Sequence, residues 1–250
     1  MKTKKVVLFD IPVDAITMTQ TLELIKQAIE EKRQIHHTVV NAGKIVMMQS
    51  DEKLFKSVVS SDIINADGQI VVWVARLLGK GLPERVTGID LMEKLMLEAH
   101  KNHYKVFFLG AREEIVKKLV EIYSKRYSPS IIAGYRNGYF SKEEEPKVAY
   151  QIQQSGAQIL FVAITSPKKE NFLYENKELL NSVNFVMGVG GSFDVVTGFT
   201  KRAPEWMQKL GFEWFYRLIQ EPRRMWHRYT VGNFKFLLLT IHELQKHRKT

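Results

Sequence analysis

Asp67 is the residue of this sequence whose type and setting most directly suggest acid–base chemistry. It follows the apolar pair Ile63-Ile64, and a segment with helical spacing begins at Gln69. This order places the carboxylate at the carboxyl end of a predicted strand, where ligands bind in α/β sheets. A general base must lie within hydrogen-bond reach of the proton that it removes. An Asp that caps the next helix gives the same pattern, so the sequence is compatible with a general base and with a helix cap.

Two other predicted strands end in residues that suit ligand binding. Asn41 follows Val39-Val40 and either caps a helix or presents its amide to a nucleotide. Gly110 follows Phe107-Phe108-Leu109, as in half of a dinucleotide fingerprint, although the full G-x-G-x-x-G spacing is absent. A glycine there also allows the backbone to approach a ligand closely.

Basic residues near predicted helix starts suggest anion binding. Arg85 precedes a helix and either pairs with a phosphate or faces solvent. Pro167 and Lys169 stand where a predicted strand leads into a helix. Helix N-termini attract anions and disfavour lysine, so Lys169 indicates an anionic ligand.

A glycine-rich loop follows the predicted strand at residues 185–188. Gly190 and Gly191 can bring backbone amides to a ligand, while Phe193 can cover a base and Asp194 can bind ribose or uracil. A tight turn with a purely structural role is the alternative interpretation.

The last fifth of the chain is strongly basic. Residues 199–250 hold eleven Lys and Arg against four acids, and so carry seven of the ten net positive charges. Arginines alternate with aromatic residues here, which suits a phosphate, an anionic membrane surface or RNA. The four arginines with this setting are Arg217, Arg223, Arg224 and Arg228. The apolar segment that follows them has the pattern of an interfacial helix, or of a helix that packs on the core.

The order of elements predicts an α/β fold with a Rossmann-like, mostly parallel sheet and helices on both faces. Strands are predicted at residues 5–9, 37–40, 63–65, 105–109, 130–134, 159–163 and 185–188. Helices are predicted at residues 19–31, 44–50, 69–78, 88–100, 113–127, 142–155 and 169–180, and then at 203–220 and 223–248. We therefore expect an α/β core over residues 1–198 and a basic helical appendage over residues 199–250.

Several kinds of protein are disfavoured by the sequence. There is no cysteine, no D-x-D, no P-loop and no nucleophile elbow, and the seven histidines lack metal-ligand spacing. We therefore expect neither a metal nor a cofactor. The sequence shows no signal peptide and no run long enough to span a membrane, which predicts a cytoplasmic protein.

Taken in order, the motifs resemble the WecG/TagA/CpsF family, glycosyltransferase family 26, from about residue 10 to residue 233. The segments that carry the resemblance are Val40-Asn41-Ala42, Asn65-Ala66-Asp67-Gly68, Arg85-Val86-Thr87-Gly88-Ile89-Asp90, Phe108-Leu109-Gly110, Gly190-Gly191-Ser192-Phe193-Asp194, Arg202-Ala203-Pro204, and Glu213-Trp214-Phe215-Tyr216-Arg217-Leu218 through Pro222-Arg223-Arg224. Each motif is weak alone, but seven in sequence are specific.

The resemblance implies an inverting, metal-independent enzyme that moves a sugar from a UDP-sugar to a polyprenyl-diphosphate-linked saccharide. The catalytic base of the family matches Asp67. Its nucleotide-sugar contacts match Asn41, Arg85, Gly190, Gly191 and Asp194. The arginines of its appendage match Arg217 and Arg224, with Arg223 and Arg228 beside them. They would close over the diphosphate and seat the enzyme on the inner face of the membrane.

Two positions differ from the family pattern, at Val39 and at Lys169-Glu170. Both lie near the sugar in the family's pocket. They leave the donor open between an N-acetylmannosamine type and UDP-glucose or a UDP-uronic acid. From the residues alone, a nicotinamide-dependent oxidoreductase and an RNA-binding module are rival functions. We expect the transferase, with no nucleic-acid partner.

Overall fold

The computed structural model describes residues 3–248, except for the side chains at 224, 225, 227–229, 247 and 248. The strands are β1 Lys5–Leu8, β2 Ile11–Asp14, β3 Ile35–Val40, β4 Ile63–Ala66, β5 Val106–Gly110, β6 Ile132–Arg136, β7 Ile159–Ala163 and β8 Phe185–Gly188. The helices are α1 Met18–Glu30, α2 Ala42–Met48, α3 Glu52–Val59, α4 Gln69–Leu77, α5 Gly88–Asn102, α6 Glu113–Arg126, α7 Glu145–Gln154, α8 Lys168–Glu175, α9 Ser192–Val196, α10 Glu205–Lys209, α11 Glu213–Gln220 and α12 Pro222–Arg248.

A six-stranded parallel sheet in the order β4-β3-β8-β7-β5-β6 forms the centre of the fold. Most of its strands are buried at every position, as expected for short apolar runs covered on both faces. Side chains that alternate along a strand enter different core clusters. Phe108 and Phe161 pack with α1, α5 and α6, whereas Phe107 and Leu160 pack with α7 and α8. The predicted α/β class and flanking helices are confirmed.

The first predicted strand exists, but it lies outside the parallel sheet. β1 pairs antiparallel with β2, a strand that the sequence pattern did not predict. Phe9 and Asp10 join them with φ angles of 51° and 63°, as in a type I′ turn. This turn usually contains Asn or Gly, so Phe-Asp gives no sequence signal for it. The two-stranded hairpin forms because both strands bury apolar side chains against β4 and α2.

The helix predicted over residues 203–220 is two helices, α10 and α11, with a sharp corner between them. Gly211 has a φ of 69°, and the Phe212 N–H donates to the Met207 carbonyl at 2.8 Å. This is the Schellman arrangement that ends a helix at a left-handed glycine. A Cβ on Gly211 would lie 3.3 to 3.4 Å from Trp73 and Gln69. The corner therefore rests on α4, the helix that begins two residues after Asp67.

The long helix α12 is docked on the core through a narrow stripe. Phe236 is 2% exposed and packs 5.5 Å from the ring of Phe9, while Leu237 next to it is 54% exposed. None of the described helices has the length and apolar content to cross a bilayer. The division of the chain at residues 198 and 199 stays a prediction, although α12 shares a core cluster with β1, β2 and α2.

We expect Phe236→Ala to release α12 from the core, because loss of a buried ring costs about 3–5 kcal/mol. Amide hydrogen exchange along α12 should accelerate, while exchange in the parallel sheet stays slow. Leu237→Ala is the matched control, since its side chain lies in solvent. Equal protection of α12 in the two variants would show that Phe236 does not hold the helix.

Candidate active site

The polar residues after β3 and β4 emerge side by side at the carboxyl edge of the sheet. The two strands are adjacent and parallel, with Val40 opposite Ala66. The Asp67 N–H donates to the Val40 carbonyl at 2.8 Å, which fixes the chain where it leaves β4. Gly68 has a φ of 139°, and a Cβ there would lie 3.7 Å from Cβ of Asn41. Sheet register and a left-handed glycine thus bring Asn41 and Asp67 together.

Asn41 and Asp67 are the two residues of the site that the sequence also allowed as helix caps, and only one of them is a cap in the structure. Asn41 does cap α2, because its Oδ1 accepts a hydrogen bond from the Lys44 N–H at 3.0 Å. Asp67 does not cap α4, since Gly68 occupies the N-cap and no side chain bonds there. The Asp67 carboxylate is thus not used for capping, and the proposed contact of Asn41 with a nucleotide stays a prediction.

The Asp67 carboxyl lies in a partly buried setting among four charged groups. Burial is the main cause that raises its pKa to about 6, and the carboxylate of Glu213 raises it further. Arg217, Arg85 and Lys44 act in the opposite direction. A carboxyl group with this pKa is mostly ionised near neutral pH and is a stronger base than an ordinary Asp.

Glu213 bridges two arginines that lower the pKa of Asp67. Its Oε2 lies 3.5 Å from a guanidinium nitrogen of Arg85, and its Oε1 lies 3.4 Å from one of Arg217. Arg85 also donates to Oε1 of Gln208 at 3.3 Å and is 17% exposed, so it does not simply face solvent. Helix α11 thereby brings the C-terminal part of the chain over the edge of the sheet.

Sequence reasoning assigned no role to Glu213, although the residue lay in a segment that carried the family resemblance. Its spacing of four residues from Arg217 is the usual signal for an ion pair on one helix face. That signal predicts the contact with Arg217. It does not predict the contact with Arg85, which is distant in sequence.

Comparison with known proteins shows the family of the chain. The profile described as "Glycosyl transferase WecG/TagA/CpsF family" matches residues 6–250. The chain is 34% identical over 225 residues to the N-acetylglucosaminyldiphosphoundecaprenol N-acetyl-beta-D-mannosaminyltransferase of Bacillus subtilis (strain 168), with 90% of this chain and 86% of the relative covered. The chain belongs to the WecG/TagA/CpsF glycosyltransferase family. It is therefore a glycosyltransferase, and its family membership favours this function over the oxidoreductase and the RNA-binding module.

The glycine loop of this glycosyltransferase is open on one side. Gly190 has a φ of 54°, and a Cβ on Gly190 or Gly191 would meet no atom within 4 Å. Asp194, in α9, is partly exposed. The loop thus leaves room for a ligand, but Phe193 does not contribute to that surface. Phe193 is fully buried and packs edge-on against Phe108, so no face of its ring is free to cover a base.

Gly110 and Lys169, which the sequence suggested as ligand contacts, make structural contacts inside the transferase core. A Cβ on Gly110 would lie 2.4 Å from the carbonyl oxygen of Ala163, so the close backbone approach is to β7. Lys169 is buried and pairs with Glu170 at 2.8 Å, while Lys44 reaches the same Oε1 at 2.7 Å. Burial alone would raise the pKa of Glu170, but the two ammonium groups outweigh it and hold that pKa well below its usual range.

The remaining predicted residues lie in three different settings. Pro167 lines a cavity of about 420 Å³ with Lys53, Lys142, Glu145, Lys168 and Asn171. Arg223 is exposed at the start of α12. The side chains of Arg224 and Arg228 lie outside the described residues, so their roles stay predictions. Among the described residues, no group of three His, Asp or Glu is arranged to hold a metal ion.

We expect Asp67→Asn to increase the free energy of unfolding at pH 8 by about 1–3 kcal/mol. The folded-state pKa of about 6 lies above the ordinary 3.8, so the ionised carboxylate favours the unfolded state. The gain should be nearly complete above about pH 7 and should shrink as the pH falls through 6 towards 4, because the wild-type carboxyl is then protonated in the folded state and increasingly protonated in the unfolded state as well. Urea unfolding at several pH values measures it.

Asp62→Asn is the matched control for this measurement, because Asp62 precedes β4 whereas Asp67 follows it. The Asp62 carboxylate accepts a hydrogen bond from the His36 N–H, and Asn keeps an oxygen for that bond. A gain for Asp67→Asn that is the same at pH 4 and pH 8 would contradict the raised pKa.

Proposed function

We propose that this glycosyltransferase moves a sugar from a UDP-sugar to a polyprenyl-diphosphate-linked saccharide, with inversion and without a metal. The observation that carries the proposal is the Asp67 carboxyl at the carboxyl edge of the sheet, with its raised pKa and with Arg85 and Arg217 acting on its charge. A base and a pair of cations in one place are what a direct displacement at the anomeric carbon needs.

In the proposed reaction, Asp67 accepts the proton of the acceptor hydroxyl as its oxygen bonds to the anomeric carbon. The bond from that carbon to the UDP oxygen breaks on the opposite face, and UDP leaves with the electron pair. Negative charge therefore grows on the diphosphate, and Arg85 and Arg217 are placed to stabilise it. Loss of one such contact typically costs about 2.7–4 kcal/mol of transition-state stabilisation.

UDP-sugar binding is assigned to the open side of the same edge. The proposed donor contacts follow the carboxyl ends of the adjacent strands β3 and β8. They are Asn41, Gly190, Gly191 and Asp194. Arg224, Arg223 and Arg228 are proposed to approach the diphosphate from the start of α12.

An N-acetylmannosamine-type donor is the first choice, in line with the name of the B. subtilis relative. UDP-glucose and a UDP-uronic acid are the alternatives. A uronic acid would need a cation for its carboxylate, and Lys169 was the candidate. Because Lys169 is buried and paired with Glu170, its placement favours an uncharged sugar.

We also propose that the helices around the site rest on the anionic inner face of the cell membrane. Large apolar side chains are exposed there: Ile70, Trp73 and Leu77 of α4, Trp206 and Leu210 at α10, Phe215 and Ile219 of α11, and Phe234, Leu237, Leu238 and Ile241 of α12. A basic segment next to such a surface gains about 1 kcal/mol for each Lys or Arg near anionic lipid. Peripheral binding would bring the enzyme to its lipid-linked acceptor.

The direct test is sugar transfer from a panel of UDP-sugars to a polyprenyl-diphosphate-linked N-acetylglucosamine. We expect Asp67→Asn to lower kcat by about 10²–10⁴, because the proton acceptor is lost, with the affinity for UDP nearly unchanged. Arg217→Ala should lower kcat by about 10²–10³. Asp62→Asn is again the control and should keep full activity.

Two results would refute the proposal. Wild-type enzyme that transfers no sugar from any UDP donor would refute the reaction itself. Full activity of Asp67→Asn beside an active wild type would refute the role of Asp67 while leaving the reaction class intact.

A further inference from the structure

A second cavity lies beside the Asp67 site and shares Arg85 with it. Its volume is about 390 Å³, and it is lined by Arg85, Asp90, Arg202, Glu205, Gln208 and Lys209. Arg202 interacts electrostatically with Asp67 and Glu213 as well as with Asp90. The cavity is therefore close enough to the proposed base to hold part of a reacting molecule.

The lining of this cavity carries three cations and two acids. Arg202 pairs with both carboxylate oxygens of Asp90, at 2.7 and 2.8 Å, which fixes its guanidinium group. The Nε atom of Arg202 is buried and has no hydrogen-bond partner within the described part of the chain. The Arg202 side chain as a whole is 31% exposed, so part of its guanidinium group other than Nε is open to an anion in the cavity.

The other two cations are loosely held. Arg85 contacts Gln208 at 3.3 Å and Glu213 at 3.5 Å, both at the long end of the range for such contacts. Lys209 forms no ion pair with any residue whose side chain the structure describes. Both groups can therefore turn towards an anion with little loss of existing interactions.

Apolar side chains are exposed on the helix that supplies part of the cavity lining. Helix α10 supplies Gln208 and Lys209 to the lining, and the same turn exposes Trp206 at 60% and Leu210 at 52%. A ligand that suits both features has an anionic group next to an apolar chain. UDP has no such chain, whereas a polyprenyl diphosphate has one.

We propose that this cavity binds the diphosphate of the polyprenyl-linked acceptor, separately from the diphosphate of the donor. Arg202 and Lys209 hold the acceptor phosphates, and Trp206 and Leu210 lie along the first isoprene units. The assignment rests on the proposed function. It places the acceptor sugar, which is attached to that diphosphate, on the side of Arg85 that faces Asp67.

Calorimetric titration with farnesyl diphosphate in saturating UDP tests this site without any transfer step. Lys209→Gln should weaken the binding of farnesyl diphosphate about tenfold or more, since it removes a charge-assisted hydrogen bond to the diphosphate. Arg202→Gln should do the same. Lys201→Gln is the matched control, because it removes one charge from an exposed position outside the cavity. The affinity for UDP, titrated separately, should change less than twofold in all three variants.

Three outcomes would overturn the proposal. One is unchanged affinity for farnesyl diphosphate in Lys209→Gln, a variant that breaks no ion pair among the described residues. Another is an equal loss of UDP affinity, which would assign the cavity to the donor. The third is equally tight binding of inorganic diphosphate, which would remove the apolar part of the site. Absence of transfer activity in the wild type would count against the proposed function and not against this binding result.

Discussion

The balance of charge around Asp67 is the constraint on which the rest of this structure depends. A carboxylate at a partly buried sheet edge loses hydration, and Glu213 adds a second negative charge nearby. Three cations, Arg217, Arg85 and Lys44, stabilise the ionised carboxylate and so offset part of this unfavourable free energy. The result is a carboxyl group that ionises near neutral pH and retains affinity for a proton. Without those cations the pKa of Asp67 would be higher still, and without the burial it would lie closer to the ordinary value of an aspartate.

Each cation in this balance is held by a different part of the fold. The ammonium group of Lys44 is held by a hydrogen bond to the Val39 carbonyl at 2.6 Å and by an ion pair with the buried Glu170. Arg85 comes from the loop before α5, and Arg217 from α11. Glu213 joins Arg85 to Arg217, so the C-terminal helices contribute directly to the electrostatics of the sheet edge.

The position of α11 depends in turn on two local features. The left-handed Gly211 turns the chain between α10 and α11 and sits against α4. Phe236 fastens α12 to the hairpin and α2. Since α11 carries both Glu213 and Arg217, these features bear on the charges that act on Asp67.

Sequence patterns predicted the parallel sheet and the residues at its edge, because buried strands and strand ends have local signatures. The ends of β3 and β4 were identified, and with them Asn41 and Asp67. The β1–β2 hairpin was missed because its turn residues, Phe9 and Asp10, are atypical. Helices α3 and α9 are short, at eight and five residues, and were also missed.

The errors at the site have one physical origin. Phe193 and Lys169 look like ligand residues in the sequence, yet both are buried, because a pattern along one segment does not reveal what packs against it. The same limit hid Glu213, whose role depends on a contact between α11 and the distant Arg85. Local chemistry is readable from the sequence, whereas the partner of each charge is set by tertiary structure.

The pKa of the Asp67 carboxyl tests the central claim most directly, and carbon-13 NMR titration of labelled aspartate measures it. Asp67→Asn identifies the resonance, and Glu213→Gln removes the neighbouring negative charge. The account predicts a value of about 6 in the wild type and a lower value in Glu213→Gln. A wild-type value near 4 that does not move in Glu213→Gln would contradict it.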